Sequence, residues 1–319
     1  MKQLFKYLRE PRDLFSNGFI RLSQLSALND PFEASFCSDS LDELSEYFDY
    51  SKTFSSSSES GEISFSDYVK EMVSNIGIIS LTENKENLLM WAHYANEHKG
   101  LIAGIVHFEE QTSIFHNLLK PNSLISSSST DEWSPFDGTP KPVNYRKGVR
   151  YRNDKFDYDY SNISAEGADR ILYEVFMQKS DEWIYEQEYR VVLRLEQADR
   201  IIIPNISMID NQNIRRLIID SSCYYIDNKT GHCIINLYEF DDDTLRVIIA
   251  NNLSKLSFNP NVIYLMKLSS RALNCCLFGL RTTLSKQDLQ TEHAISTGYF
   301  DVWRAKKDDN YYSLNFEKI

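Results

Sequence analysis

The sequence predicts an α+β fold built on a mostly antiparallel sheet with flanking helices. Strand and helix patterns are intermixed without a steady strand–helix–strand alternation, and no GxGxxG motif follows a strand, which disfavours a Rossmann sheet. The 319 residues are 42% hydrophobic and 25% charged, which is typical of a globular chain that buries a large core. These observations favour a single α+β domain over residues 1–319.

The first half of the chain contains a well-marked strand–helix–strand unit. The Ile-rich run 76–81 predicts a buried strand, and the apolar run 101–108 predicts another. Between them, apolar residues recur at helical spacing up to Gly100, and Thr82 is placed to cap that helix. The other elements expected in this half are strands over 4–8, 19–23 and 143–152 and helices over 11–16, 66–75 and 165–179.

The second half contains short apolar runs separated by polar turns. Between residues 200 and 265 these runs predict a larger β-rich insertion. Its expected strands are residues 201–203, 217–219, 234–237 and 245–250. Strands over 299–305 and 311–316, joined by a polar turn, predict a hairpin near the end. Ser-rich stretches at 38–62 and 120–142 predict loop insertions.

Charge and cysteine content limit the functional classes. The formal net charge of −12 repels a phosphate backbone, so we expect no general DNA binding. The five cysteines show neither a CxxC pair nor regular spacing, which indicates reduced thiols. The N-terminus lacks the apolar region of a signal peptide, and no run approaches about 18 apolar residues. We therefore expect a cytoplasmic protein that does not associate with membranes.

Two sequence strings are specific enough to suggest a family. They are NDPFE at residues 29–33 and MWxHYAxxHKG at residues 90–100. Together with residues 4–9 and 179–190, they resemble the bacterial domain-of-unknown-function 2971 family. The tail from Phe278 onward also resembles that family, whereas the 200–265 insertion departs from it. This resemblance implies no activity, so function must be argued from the polar residues.

The polar residues occur in three groups along the chain. In order, the groups are Tyr7 and Arg9, then Ser80 and Thr82 with His93 and Tyr94 on the next helix, then Glu186 and Glu188 before a strand. This order resembles that of ADP-ribosyltransferases, although Leu81 stands where that pattern usually has Thr. The resemblance implies an ADP-ribosyltransferase-like two-sheet core, NAD as co-substrate and mono-ADP-ribosylation of a macromolecule, a reaction of the glycosyltransferase class.

The chemistry of that reaction assigns roles to the two glutamates. Cleavage of the nicotinamide–ribose bond passes through an oxocarbenium-like state, as glycoside cleavage does. Glu188 would stabilise this positive charge and hold a ribose hydroxyl. Glu186 would lie on the same side of an extended segment and would orient or deprotonate the acceptor.

Other residues would bind the rest of NAD. Arg9 is the first candidate for gripping the diphosphate, and Arg190 is the second. Tyr94 or Trp91 would stack on nicotinamide, and the Ser80 hydroxyl would support the ribose or Glu188. The complete set expected to bind NAD is Arg9, Tyr7, Ser80, Thr82, Trp91, His93, Tyr94 and Arg190.

Each assignment has a structural alternative. Glu186, Glu188 and Arg190 could form a solvated strand face with a cross-strand ion pair. Trp91 and Tyr94 share a helical face with apolar residues, which is also typical of core packing.

Two other functional classes stay open. A metal-dependent nuclease or hydrolase would use Asp30, Glu33, Glu186 and Glu188, although the histidines of the 90–100 helix lack ligand spacing. A non-catalytic module would bind a nucleotide or peptide in an aromatic groove. The transferase hypothesis suggests a toxin or phage-defence effector with an antitoxin or chaperone partner, and it leaves open whether the acceptor is protein or nucleic acid.

Overall fold

The computed structural model describes residues 2–36, 39, 54–55, 62–63, 65–107, 135–149, 165–269, 271–289 and 300–319. The strands are β1 (Lys2–Leu8), β2 (Phe19–Gln24), β3 (Phe54–Ser55), β4 (Glu62–Ile63), β5 (Ile76–Thr82), β6 (Leu101–His107), β7 (Lys141–Pro142), β8 (Asn144–Arg146), β9 (Gln178–Ser180), β10 (Glu188–Arg194), β11 (Arg200–Ile203), β12 (Tyr224–Ile226), β13 (Cys233–Asn236), β14 (Ile263–Lys267), β15 (Leu273–Phe278), β16 (Asp301–Lys307) and β17 (Leu314–Lys318). The helices are α1 (Arg12–Asn17), α2 (Phe65–Val73), α3 (Leu88–Tyr94), α4 (Ala165–Phe176), α5 (Gln212–Ile219) and α6 (Asp243–Ser254).

A thirteen-stranded sheet contains most of these strands. Its order is β12-β13-β11-β14-β2-β5-β1-β6-β15-β16-β17, with β10 paired to both β5 and β7. Every pairing in it is antiparallel except that of β15 with β16. The α+β class with a mostly antiparallel sheet is therefore confirmed, as is the hairpin of β16 and β17.

The strands expected in two sheets are joined at β5. One edge of β5 pairs with β10 over seven residues. The other edge is shared, because β2 pairs with Gly77 and Ile78 whereas β1 pairs with Thr82. The branch through β2 and the branch through β1 therefore leave the same edge of β5, and strand pairing continues through all thirteen strands.

Successive residues of β5 face different cores, because side chains alternate along a strand. Ile79 and Leu81 belong to the largest core. Ile78 packs in a second core with Val69 of α2 and Phe176 of α4. β5 is thus fixed from both sides, which makes it a rigid support for the polar residues at its end.

Two segments expected as strands are helices. Residues 217–219 lie in α5 and residues 245–250 lie in α6, so the β-rich insertion contains both kinds of element. The side chain of Asn211 caps the first turn of α5, and that of Asp242 caps the first turn of α6. These caps satisfy backbone N–H groups that a strand would pair with a neighbour.

Some expectations fall partly or wholly outside the described residues. Most of the loop insertions at 38–62 and 120–142 lie there, as does Cys37. The other four cysteines are buried free thiols. Within the described ranges, we find no helix with the length and apolar character needed to cross a bilayer.

Candidate functional site

Three strands bring the polar groups of the sequence together. Thr82, at the end of β5, lies opposite Glu188 of β10 on one side and opposite Phe5 of β1 on the other. Because Tyr7 lies two residues beyond Phe5, all three groups meet at one end of β5. This juxtaposition could not be inferred from the distances along the chain.

A cavity of about 190 Å³ lies at this meeting point. Its walls come from β1, β5, β10, α3, the turn after β2 and the segment between α4 and β10. The ionisable side chains that line it are Lys6, Tyr7, Asp30, Glu33, Tyr94, Lys179, Glu186 and Glu188. Four carboxyl groups thus face two lysines, and the cavity is acidic.

A buried lysine holds three of these carboxyl groups together. Nζ of Lys179 lies 2.6 Å from a carboxylate oxygen of Glu186, 2.9 Å from one of Glu188 and 3.5 Å from one of Glu33. None of the four side chains is more than 7% exposed. Buried charges require partners of opposite sign, and these four residues, which we call the carboxylate–lysine cluster, supply them to one another.

Arg190 lies behind the cluster on β10. Its Nε and Nη2 donate to the two carboxylate oxygens of Glu188 at 2.9 and 3.0 Å, which is a bidentate pair. Nη2 also donates to Glu33 at 2.6 Å, and Nη1 donates to the carbonyl oxygen of Phe176 at 2.7 Å. The side chain is fully buried. Arg190 therefore orients two carboxylates and does not face the cavity.

Three hydroxyl groups fix the two glutamates further. Tyr94 donates to a carboxylate oxygen of Glu186 at 2.6 Å, and Thr82 donates to the carbonyl oxygen of the same residue at 2.7 Å. The backbone N–H of Glu188 donates to the hydroxyl oxygen of Tyr145 at 2.8 Å. These contacts tie the glutamates to β5, α3 and β8.

The geometry of Gln187 allows Glu186 and Glu188 to converge. Glu186 ends the 3-10 helix Asp181–Glu186, and Glu188 begins β10. Gln187 between them has a φ of 46°, in the left-handed region. We expected an extended segment here. The structure reaches the same result, two side chains on one side, through a left-handed link between a helical turn and a strand.

Charges in the cluster shift several pKa values. Burial acts to raise the pKa of the Glu188 carboxyl, but Arg190 and Lys179 outweigh burial and lower that pKa to about 2. Burial acts to lower the pKa of Lys179, yet Glu188 and Glu186 raise it above its usual range. Burial raises the pKa of Glu33 in spite of Arg190. Glu188 is therefore a carboxylate and Lys179 an ammonium group at neutral pH.

Six of the ten expected site residues line the cavity. They are Tyr7, Ser80, Thr82, Tyr94, Glu186 and Glu188. The remaining four, Arg9, Trp91, His93 and Arg190, do not line it. Neither arginine expected to grip a diphosphate therefore reaches the cavity in this geometry.

Trp91 is a core residue. It is fully buried, its Nε1 donates to the carbonyl oxygen of Lys85 at 2.8 Å, and its ring stacks on His98 at 6.1 Å. His93 and Arg9 are exposed, the latter beyond the end of β1. Trp91 therefore follows the core-packing alternative, whereas the burial of Glu186, Glu188 and Arg190 excludes a solvated strand face.

Thr82 does not cap the helix, contrary to our expectation. α3 begins at Leu88, and the side chain of Asn87 accepts hydrogen bonds from the first turn. The Thr82 hydroxyl donates instead to Glu186 and accepts from the N–H of Asn84. Asn87 also donates to the carbonyl oxygen of Tyr185, so it ties α3 to the segment that carries the glutamates.

Sequence reasoning missed Lys179, Lys6 and Tyr145. Lys179 lies on β9, which pairs with β8 and so brings Tyr145 beside it. Lys6 lines the cavity and donates to the carbonyl oxygen of Ser80 at 2.9 Å. An isolated lysine or tyrosine forms no spacing pattern that would identify it as a site residue. The one signal in the sequence is that Lys179 begins the family-like segment 179–190.

The carboxylates of the hydrolase alternative also converge, but a lysine lies among them. Asp30, Glu33, Glu186 and Glu188 line the same cavity. Nζ of Lys179 lies within 3.5 Å of Glu33, Glu186 and Glu188. It therefore occupies the position between the carboxylates that a divalent cation would need. Among the residues that the structure describes, no group of three or more His, Cys, Asp or Glu side chains is arranged to hold a metal ion. A metal ion bound to these carboxylates would compete with the Lys179 ammonium group for them.

Comparison with known proteins supports the family resemblance over part of the chain. A family model described as a protein of unknown function (DUF2971) matches residues 90–191. This range includes four of the eight ionisable residues that line the cavity, namely Tyr94, Lys179, Glu186 and Glu188, and also Arg190 behind them. No curated protein and no solved structure matches the chain.

Proposed function

We propose that the chain is a NAD-dependent mono-ADP-ribosyltransferase that modifies a macromolecule in the acidic cavity. The observation that carries the proposal is the convergence of Glu186 and Glu188 in a small cavity with Tyr7, Ser80 and Tyr94. These residues come from all three groups whose order resembles ADP-ribosyltransferases. The three groups, which are separate along the chain, therefore contribute residues to the same cavity at one end of β5.

Glu188 is the proposed catalytic carboxylate. It stays ionised at neutral pH because Arg190 and Lys179 lower its pKa to about 2. It is held in one orientation by the bidentate contact with Arg190, so little reorganisation is needed when positive charge develops on the ribose. Carboxyl groups outnumber cations in the cluster, which favours a cationic transition state over a neutral one.

Glu186 is the proposed acceptor-orienting residue. One of its carboxylate oxygens accepts from Tyr94 and the other from Lys179. The side chain lies beside Glu188 but has no contact with Arg190, so its bonds come from residues that line the cavity themselves. This position suits a group that meets the incoming nucleophile.

The cavity fits one half of NAD. Its volume of about 190 Å³ is below the roughly 300–1,000 Å³ of sites for larger ligands. We assign it to the nicotinamide riboside half, with Tyr94 as the aromatic partner of nicotinamide. Lys6, on the cavity wall beside Ser80, replaces Arg9 and Arg190 as the proposed cation for the diphosphate.

The decisive experiment follows adenine-labelled NAD into the protein, RNA and DNA fractions of a bacterial lysate. The wild type should label one fraction, and Glu188→Gln should lower transfer by about 100-fold or more, which is the usual effect of removing a preorganised electrostatic group. Glu182→Gln is the matched control, because Glu182 is exposed on the 3-10 helix that precedes β10. Equal transfer by wild type and Glu188→Gln, or no NAD consumption by the wild type, would refute the proposal.

Glu186→Gln separates the two proposed roles. We expect it to abolish transfer to the acceptor while nicotinamide release continues, because Glu188 remains in place. Release of nicotinamide by the wild type without any labelled polymer would identify a NAD hydrolase that uses the same cavity. The toxin or phage-defence setting, and an antitoxin or chaperone partner, stay predictions.

A further inference from the structure

A second cavity of about 290 Å³ is lined in part by the segment that joins β5 to α3. Lys85 of that segment, Phe5 of β1, Trp303 of β16 and Phe316 of β17 are among its lining residues. Phe5 also lines the first cavity, so the two cavities are neighbours. None of the residues assigned to NAD chemistry above lines the second cavity.

The second cavity offers aromatic surfaces to a planar ligand. Trp303 lies opposite Lys318 and Phe316 lies opposite Ala305, so the two aromatic residues are diagonal neighbours on one face of the hairpin. Diagonal neighbours are about 7–8 Å apart, which leaves room for a ring beside them. Phe316 stacks on Trp91, at 6.4 Å between centroids, rather than on Trp303. Its ring therefore packs against a fully buried residue.

The ammonium group of Lys85 also belongs to the lining of the second cavity. Nζ of Lys85 lies 5.4 Å from the centroid of the Phe316 ring. The backbone of Lys85 is anchored, since its carbonyl oxygen accepts from Trp91. Among the described residues Lys85 forms no ion pair, although Glu86 lines the cavity too. An ammonium group without an acidic partner beside aromatic rings suits a ligand that combines a planar ring with a negative charge.

Two amides add hydrogen-bond acceptors. Nε2 of Gln3 donates to Asn274 and to Sγ of Cys275, and Nδ2 of Asn315 donates to Asp308. The amide NH₂ groups of Gln3 and Asn315 thus already donate hydrogen bonds within the protein. Their amide oxygens have no hydrogen-bond partner among the described residues. A ring that carries an amino group can donate to such oxygens.

We propose that the second cavity binds a purine nucleotide, with the base against Trp303 and Phe316 and the phosphate on Lys85. Stacking on aromatic side chains and a cation for the phosphate are the usual means by which proteins hold a nucleotide. The binding is non-covalent. Burial raises the pKa of the Cys275 thiol to about 11, so the one sulfur that lines the cavity is not a nucleophile at neutral pH.

Tryptophan emission tests the proposal, because Trp303 lines the second cavity and Trp183 lines the first. Adenosine monophosphate added to the full chain should quench emission with saturation. Trp303→Phe should lose the quenching while calorimetry still detects binding, and Trp183→Phe should keep the quenching. Lys85→Met should weaken binding at least ten-fold. Lys99→Met, which removes an exposed lysine, should leave binding unchanged.

Two sources of the nucleotide are separated by competition with NAD. If adenosine monophosphate raises the KM for NAD, the cavity holds the adenosine half of NAD. If it binds without affecting NAD, the cavity is a separate site for a free nucleotide. Both results support a purine nucleotide site. No heat of binding at millimolar adenosine monophosphate, or binding that Lys85→Met leaves unchanged, would overturn it, and neither result depends on NAD turnover.

Discussion

Lys179 joins three acidic groups that would otherwise repel one another. It is 7% exposed, and its ammonium group contacts Glu186, Glu188 and Glu33. Removing one partner from a buried ionic group leaves uncompensated charge, which costs about 3–5 kcal/mol. We therefore expect Lys179→Met to lower the free energy of unfolding by about that amount, measured by urea denaturation.

Lys147→Met is the control for this substitution. Lys147 follows β8, close in sequence to Tyr145, but its side chain is exposed. We expect a change within about 0.5 kcal/mol, as for most surface substitutions. If Lys179→Met were as stable as the control, the carboxylate–lysine cluster would not be the ionic centre described above.

Glu188 should also make folding sensitive to acid. Its pKa in the folded chain is about 2, below the ordinary value of 4.5, so the unfolded chain binds a proton more readily. Its stabilising contribution is thus complete above about pH 5 and is lost as the pH falls towards 2. The contribution is on the order of 3 kcal/mol. We expect the free energy of unfolding of Glu188→Gln to fall less steeply between pH 5 and 3 than that of Glu182→Gln.

At the scale of elements, most of the MWxHYAxxHKG string forms a structural link, and only Met90 and Tyr94 of it line the first cavity. Asn96, Glu97 and His98 have φ values of 48°, 54° and 68°, three left-handed residues in succession after α3. The carbonyl oxygen of His98 then accepts from Arg281, and the N–H of Gly279 donates to Gly100. The string therefore joins the turn after α3 to the ends of β6 and β15, and Tyr94 alone of its side chains bonds to a glutamate of the cluster.

The close packing at this link allows us to predict the effect of adding a methyl group at Gly279. A Cβ at Gly279 would lie 2.2 Å from the carbonyl oxygen of His98, so the backbone must move. Overpacking of this kind typically costs 1–3 kcal/mol, and we expect Gly279→Ala to lower the free energy of unfolding by about that amount. A Cβ at Gly148 meets nothing within 4 Å. Thermal denaturation should therefore leave Gly148→Ala close to the wild type, and equal Tm values for both variants would contradict the prediction.

Elements with a long periodic pattern were predictable from the sequence, and short apolar runs were not. The unit of β5, α3 and β6 was predictable because its two strands are mostly apolar over seven residues each and apolar residues recur at helical spacing between them. Residues 217–219 and 245–250 are short and mostly apolar, and a segment of three to six such residues fits a strand or one turn of a helix. The caps at Asn211 and Asp242 decide between the two, and they lie outside the apolar runs.

The sequence identified six residues that line the cavity, but not the contacts between side chains that are distant in sequence. Glu186 and Glu188 were identified through their spacing. Lys179 reaches them because β9 pairs with β8, and Glu33 reaches Arg190 across 157 residues. Contacts between residues so far apart in sequence depend on how the strands pair and pack, which a single sequence does not specify in detail.

At the scale of the whole molecule, the 200–265 segment extends the sheet and shares its core. β14, at the end of this segment, pairs with β2 over four residues, and β11 pairs with β14. Leu22, Val191, Ile201 and Leu253 belong to the same buried cluster. The segment therefore does not cover the first cavity, whose lining residues all lie outside it.

A shared core predicts that this segment unfolds together with the rest of the chain. All four tryptophans lie outside residues 200–265, so tryptophan emission follows the remainder, whereas far-ultraviolet circular dichroism also detects α5 and α6. Because β2 and β14 cannot separate without exposing the common core, we expect both signals to change at the same urea concentration, as in a two-state transition. An earlier transition in circular dichroism that tryptophan emission does not follow would mean that the segment folds on its own. In that case the pairing of β14 with β2 would contribute little to stability, and deletion of the segment would leave the cavity and its carboxylate–lysine cluster intact.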